Sequence, residues 1–389
     1  MEIKQGTLME FISNTKRIYL FFLEICLFIL GISYIFRLQG VDNTSLRTVL
    51  PIILIIVGGG YDLLNFFKPS QYLYLLFLFS LLFLFSFKLT ILTIVSFAVA
   101  FMLLSLNEVL ELYKIALIIQ LLSGPVLALM GYFPLVNFRT GRLTLGLGNE
   151  NTLGLCLTLS WVMIILYKKN NELTMKVNPL VFLGSIAIFF FNKALLDDDT
   201  ANVILISIFI TYFLSNHFDS KRSQKVMGII YGLFPIIIGG SSLGLGYIYN
   251  PNHHVLYEIN TNLTQRLFVW NYYLKNYSST LIPKPNQITN MDIVEGNFDG
   301  FYVYIWVFFG VLFFLLIVLG MALSNYKLYK NRNYAILSLM VGFEILGFSE
   351  TVILSCNYNF AIFFALLAFY PDWLQLQNKN IKNKYKLHI

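Results

Sequence analysis

Residues 226–247 read VMGIIYGLFPIIIGGSSLGLGY, a run without a single charge that begins just after Lys225. As an α-helix rising ~1.5 Å per residue it reaches across a hydrocarbon core of ~30 Å. Comparable runs recur from one end of the chain to the other, without the apolar–polar alternation of a membrane barrel. Backbone groups in lipid must be satisfied within each segment, which leaves the helix as the spanning element. Composition agrees: of 389 residues 57% are hydrophobic, 12% are charged and 37 are phenylalanine, and the mean hydropathy is +0.70. So little polar surface cannot cover a soluble globule of this size. The expected fold is an all-α polytopic membrane protein, one integral membrane domain over residues 1–389, with no internal repeat or low-complexity tract.

Twelve spans are expected, near 18–36, 49–67, 71–87, 89–105, 115–133, 152–167, 178–192, 201–215, 226–247, 301–324, 334–349 and 357–372. No small-residue cleavage site follows the first, which reads as a retained anchor. With the N-terminus inside, eighteen of the 27 lysines and arginines fall on the cytoplasmic side. That bias is the one the positive-inside rule asks for, and it puts both termini in the cytoplasm. The surplus behind the net charge of +7 then faces anionic inner-leaflet lipid, and no nucleic-acid partner is needed to explain it. Cys26, Cys156 and Cys356 lie in or beside spans without paired spacing, which points to neither a disulfide framework nor a metal site.

This topology leaves one long outer loop, residues 248–300 between spans nine and ten, and a shorter one at 134–151. Within the first, Leu263, Leu267, Trp270 and Leu274 recur at helical spacing, an amphipathic helix to lie on the membrane surface or on the rest of the protein. The second runs into FRTGRLTLGLGNENTLG at 138–154. Asn151 stands where it would cap the sixth helix, with Arg139 and Arg142 before it. A helix entering the membrane from outside points its free N–H groups and positive dipole end outward, and two guanidinium groups beside it suit a diphosphate. The plainer reading makes the arginines headgroup anchors and Asn151 only a cap. The G-x-G here follows no strand and is not a nucleotide fingerprint.

These residues carry a resemblance. RTGRLTLGLGNENTLG is similar to the segment of the Wzy-type polysaccharide polymerases and related O-antigen ligases in which an arginine precedes a glycine-rich stretch and a Pro-Asn pair opening a helix; here Glu150-Asn151 takes the place of that pair. LTQRLFVWNYYL resembles the family's arginine-plus-tryptophan helix, with Arg266 at the arginine position. NFDGFYVYIWVFFG resembles the pattern of an aspartate, a tyrosine and a glycine in the next span, matched by Asp299, Tyr302 and Gly310. GFSETVILSCNYNFAIFF resembles the closing pattern, with Glu350 and with Asn357 or Asn359. The chain departs from the family before span eight, where DDDTAN replaces a serine-arginine-threonine. The likeness covers about residues 135–370.

The resemblance implies a lipid-sugar-using glycosyltransferase of GT-C-like architecture on the outer face of a bacterial plasma membrane. It would join oligosaccharide repeat units carried on undecaprenyl diphosphate into a surface polysaccharide, with no cofactor or metal, alongside a flippase and a chain-length regulator of the same pathway. Usage rich in phenylalanine, lysine and asparagine points to the capsule or exopolysaccharide branch. A diphosphate leaving group gathers negative charge that fixed cations stabilise, and Arg139, Arg142 and Arg266 are the candidates, with Asn151 and Tyr302 as further ligand contacts. The acceptor hydroxyl needs a general base: Asp299 first, Glu350 second, then His253 and His254.

Each has a plainer reading. Asp299 would serve as an N-cap of span ten, Asp197, Asp198 and Asp199 as caps and an outward charge cluster, and the histidines as solvated loop residues. Glu24, Asp62 and Glu344 lie inside spans, where helix–helix hydrogen bonding is the expected role, and the glycines of GGSSLGLG are close-packing positions. The sequons at Asn43, Asn262 and Asn276 read as chance. Two rival functions remain: an O-antigen-ligase-like transfer of finished polymer to an anchor, and a lipid-linked oligosaccharide flippase or other transporter. The latter calls for repeat symmetry and discontinuous helices, neither of which the sequence shows.

Overall fold

The computed structural model describes residues 3–38, 44–66, 68–85, 88–138, 140–171, 179–218, 221–277, 279–282, 298–370 and 373. Among them the α-helices are α1 (Ile3–Leu38), α2 (Thr44–Asn65), α3 (Pro69–Phe85), α4 (Leu89–Phe101), α5 (Leu106–Leu129), α6 (Glu150–Asn171), α7 (Pro179–Phe191) and α8 (Asp199–His217). They continue as α9 (Lys221–Ile248), α10 (His254–Asn262), α11 (Arg266–Asn276), α12 (Phe301–Phe308), α13 (Gly310–Lys330), α14 (Tyr334–Ser349) and α15 (Ala361–Leu367). No strand is named among the described residues; one isolated antiparallel bridge joins Val136 and Leu143.

Eight helices among the described residues are long and apolar enough to cross a membrane, as a polytopic membrane protein requires: α1, α2, α5, α6, α8, α9, α13, and α7 with the turn that follows it. The case of α7 is the clearest. None of its side chains is buried, and Phe182, Leu183 and Phe190 are each more than half exposed. In water that surface would cost ~25 cal/mol per Å², and in lipid it costs nothing.

Of the remaining expected spans, α3 and α14 are as long as their apolar runs, whereas α4 and the helix within 357–372 are shorter. α3, α4 and α14 have 17, 13 and 16 residues, and residues 357–372 contain only the seven-residue α15. The run at 301–324 is broken: α12 ends at Phe308 and α13 starts at Gly310, whose φ is +84°. Discontinuity was not expected here, because the sequence is equally apolar on both sides and only a glycine able to take positive φ marks the place. The N–H groups freed by the break are answered from the loop between α11 and α12. Val311 donates to the Thr280 carbonyl (2.9 Å) and Leu312 to the Leu281 carbonyl (3.1 Å).

The chain divides into two compact units, Met1–Asn65 with Leu104–Ala201, and Phe66–Leu103 with Asn202–Ile389. In the first, α5 packs on α1 and α6. α5 begins with a capping box in which Ser105 and Glu108 each bond the other's backbone N–H, and Glu108 also pairs with Lys16 of α1 at 2.6 Å. The glycine-rich loop seats on the same helix: Gly146, at φ +76°, lies so close to the Gly124 carbonyl that no Cβ fits.

In the second unit α9 and α13 form the principal pair, with α11 and α12 on α9, and α14 and α15 on α13. The GGSSLGLG glycines divide in two. Gly239 faces the Tyr302 ring and Gly246 faces Trp270 and Leu274, as close packing requires, whereas Gly240 and Gly244 face open space. Buried Glu344 of α14 accepts from Asn325 of α13 at both carboxylate oxygens (3.0 Å each), the interhelical bond expected of it. Asp62 of α2 departs from that expectation, since both its oxygens are buried without a hydrogen-bond donor.

Gly310→Ala should therefore lower the thermal stability of the detergent-solubilised protein by about 1–3 kcal/mol, because it combines an unfavourable φ with a clash against two carbonyls. Gly240→Ala, a Cβ added in open space of α9, should leave it within about 0.5 kcal/mol of the parent. Equal melting temperatures for the two variants would contradict the strained break.

Candidate active site around Arg266

The amphipathic stretch of the 248–300 loop lies on the protein. α11 starts at Arg266, one turn later than Leu263, and buries Leu267, Val269, Trp270, Tyr273 and Leu274. They join Tyr249, Phe298, Val303 and Val307 in one apolar cluster. The turn ahead of Arg266 is held tightly. Asn260, fully buried, donates to the Tyr249 hydroxyl (3.1 Å) and to Gln265 Oε1 (2.5 Å), and accepts from the Phe268 N–H (3.0 Å). Thr264 and Gln265 are both left-handed, at φ +49° and +66°, a conformation that costs non-glycine residues and gathers at functional sites.

That turn aims the Arg266 guanidinium at two carboxylates. Nη2 lies 2.6 Å from Glu350 Oε1 and 3.5 Å from Asp299 Oδ2, while Nη1 donates to Thr264 Oγ1 (2.9 Å). Nε is buried without an acceptor. The Thr351 hydroxyl donates to Asp299 Oδ1 at 3.4 Å. The side chains of Arg266, Asp299 and Glu350 are 18%, 26% and 16% exposed, buried enough to strengthen the ion pairs yet open to a ligand. Burial pushes the Asp299 carboxyl above the ordinary carboxylate range; Arg266 and the Thr351 hydroxyl pull it back without cancelling the rise.

Asp299 is not a helix cap. Gly300 holds the N-cap position of α12 at φ +104°, no side chain caps that helix, and the Asp299 carboxylate is turned to Arg266 and Thr351. Three residues drawn from three separate stretches of sequence thus meet in one cluster, all within the second unit.

The other candidates lie elsewhere. Arg142, in the first unit, pairs with Asp197 (2.5 Å) and lies 3.9 Å from Glu150; Glu150 also accepts from Asn137 at 2.9 Å. Arg139 lies outside the described residues. The cap of α6 is Asn149, whose Oδ1 accepts the Thr152 N–H at 2.7 Å; Asn151, expected in that role, is already helical and exposed. Asp198 caps α8 through the Ala201 N–H (3.0 Å), and burial pushes its carboxyl up to about 6. Asp197 and Asp199 form the outward charge cluster with Arg142 and Lys193.

Tyr302 is fully buried and donates to the Glu344 carbonyl at 3.3 Å, which puts it in the core. His253 and His254 are exposed at the start of α10. Asn359 lies ahead of α15 and its Oδ1 accepts the Ala361 N–H (2.7 Å). Thr264 and Thr351 belong to the cluster and carried no signal beyond standing next to singled-out residues. Comparison of the chain with protein-family models, curated proteins and solved structures gives no match.

If Arg266 were only a headgroup anchor it would not be coupled to Glu350. The expected result of a double-mutant cycle in thermal unfolding is that Arg266→Ala costs about 1–3 kcal/mol by leaving two facing carboxylates uncompensated. Adding Glu350→Gln should recover about 0.5–3 kcal/mol of coupling. Strict additivity would return Arg266 to the anchor role.

Proposed function

We propose that the chain is a Wzy-type polysaccharide polymerase, transferring a growing glycan from undecaprenyl diphosphate to the next lipid-linked repeat unit on the outer face of a bacterial plasma membrane. The observation that carries the reading is the convergence of Arg266, Asp299 and Glu350, each the charged residue of a different motif in the resemblance. In the topology that goes with it, α3, α4, α14 and residues 357–372 complete twelve passes, and both termini are cytoplasmic. The bias of lysine and arginine supports that orientation.

The chemistry asks for what the cluster has. The acceptor hydroxyl oxygen attacks the anomeric carbon, its proton passes to the Asp299 carboxylate, and the bond from that carbon to the diphosphate oxygen breaks with its electron pair leaving on the lipid diphosphate. A carboxylate raised by burial is a stronger base than an ordinary one. Glu350 and Thr351 hold Arg266 and Asp299 in register. Negative charge on the departing diphosphate calls for a cation, which Arg266 can supply by exchanging Glu350 for phosphate.

One observation favours a transporter instead, the broken helix at Gly310, since discontinuous helices mark many transport sites. Deleting the gene separates the readings. Single repeat units accumulating on the outer-leaflet lipid mean polymerase, unattached full-length polymer means ligase, and units trapped on the inner leaflet mean flippase.

For the purified protein in liposomes, Asp299→Asn should insert normally, bind lipid-linked repeat units and lose about 10²–10⁴-fold in polymerisation rate. Activity in the parent should fall as pH drops through the Asp299 pKa, because protonation removes the base, and this limb should lie above the ~3.9 of an ordinary aspartate. Parental rates in Asp299→Asn with loss in Glu350→Gln would move the base to Glu350. Orientation is checked separately: in intact cells Asn276→Cys should react with a membrane-impermeant maleimide and Ser223→Cys should not.

A further inference from the structure

The indole of Trp270 touches all three segments that bear the charged cluster. It sits on α11 one turn after Arg266, so helix geometry puts both side chains on the same face. Its Nε1–H donates to the main-chain carbonyl of Asp299 at 2.5 Å. Its ring edge lies where a Cβ on Gly300 would stand, within 2.6 Å of the Cζ2 and Nε1 atoms. It also meets Phe348, two residues before Glu350, edge to face at 5.6 Å. The ring is fully buried, and a Cβ on Gly246 of α9 would stand only 3.2 Å from its Cβ.

A buried indole N–H needs an acceptor, and among the described residues it finds one in the carbonyl that adjoins the Asp299 side chain. The backbone there is one that only glycine adopts freely, φ +104° at residue 300. The indole therefore fixes where the Asp299 carboxylate stands relative to Arg266, using the same helix that carries Arg266. Trp306 is a natural contrast. It too is a tryptophan in this unit, packed edge to face on Phe314 at 5.1 Å, but its Nε1 has no partner.

We propose that Trp270 is a positioning residue for the cluster, holding the Asp299 carboxylate at its distance from Arg266 through the Asp299–Gly300 backbone. The proposal rests on the reading of Asp299 as the base, and its test includes a measurement that needs no turnover. The groups that face Asp299 are Arg266 from α11, with Glu350 and Thr351 from the end of α14. Loosening the Asp299–Gly300 backbone lets the carboxyl out toward solvent, which relieves the burial that raises it.

The experiment follows the pH midpoint at which a hydrophobic carbodiimide, which reacts with protonated carboxyls, labels Asp299 in the full chain in nanodiscs, read by mass spectrometry. Trp270→Phe keeps the buried ring and loses the N–H; its midpoint should fall toward that of an ordinary aspartate. Trp306→Phe should keep the parental midpoint. In polymerisation on lipid-linked repeat units taken from cells lacking the gene, Trp270→Phe should lose about 10- to 100-fold in kcat with little change in KM, the scale of a small misplacement. An unchanged midpoint in Trp270→Phe overturns the proposal, as does a fall shared equally by Trp306→Phe. If the Trp270→Phe protein is not recovered, Gly300→Ala displaces the same backbone from the other side and should move the midpoint in the same direction. A parent that makes no polymer counts against the polymerase reading alone, since the midpoint still decides the positioning role.

Discussion

In hydrocarbon, each backbone N–H or C=O must find its partner within the protein, because no water is there to take it. The break between α12 and α13 is where this constraint is felt most directly. Gly310 turns the chain at positive φ, and the carbonyls of Thr280 and Leu281 take up the N–H groups of Val311 and Leu312. A segment of the loop after α11 is thereby tied to the start of α13. The short helix α12 that the break creates sets Asp299 and Gly300 at its beginning, against α11. The charged cluster depends on that arrangement, since an unbroken span through 301–324 would not need the loop to dock where it does.

Charge behaves differently in the two units. Arg142 answers Asp197 at the surface, where an ion pair contributes little, and both partners are well exposed. Arg266 answers two carboxylates that are mostly buried, where removing one partner leaves a charge with nowhere to go. A cluster with two acids and one base carries a net negative charge when all are ionised. Burial raises the Asp299 carboxyl toward protonation, and Arg266 and the Thr351 hydroxyl oppose that rise only in part.

The apolar runs made the helical membrane class legible, because length and hydropathy are local properties. The shortness of α4 and the break at Gly310 were not, because an apolar residue reads alike in a long span, a short buried helix or a bend. Arg266, Asp299 and Glu350 were singled out by motif, but not their contact, which depends on the left-handed turn at Thr264–Gln265 and on how α11 docks on α9. Asn149 displaced Asn151 as the cap by a shift of two residues, within the margin by which helix ends escape pattern reading. Arg139 lies outside the described residues.

A site built this way draws its geometry from helices rather than from loops. The guanidinium, the indole and the carboxylate backbone are linked through a single turn of α11, so movement of that helix carries Arg266 and Asp299 together. What can move independently is Glu350, which follows the end of α14 and meets Arg266 through its side chain alone. Its partner can therefore be exchanged without disturbing the distance between Arg266 and Asp299. An anion that took Glu350's place on the guanidinium would leave the Asp299 ion pair and its Thr351 hydrogen bond standing.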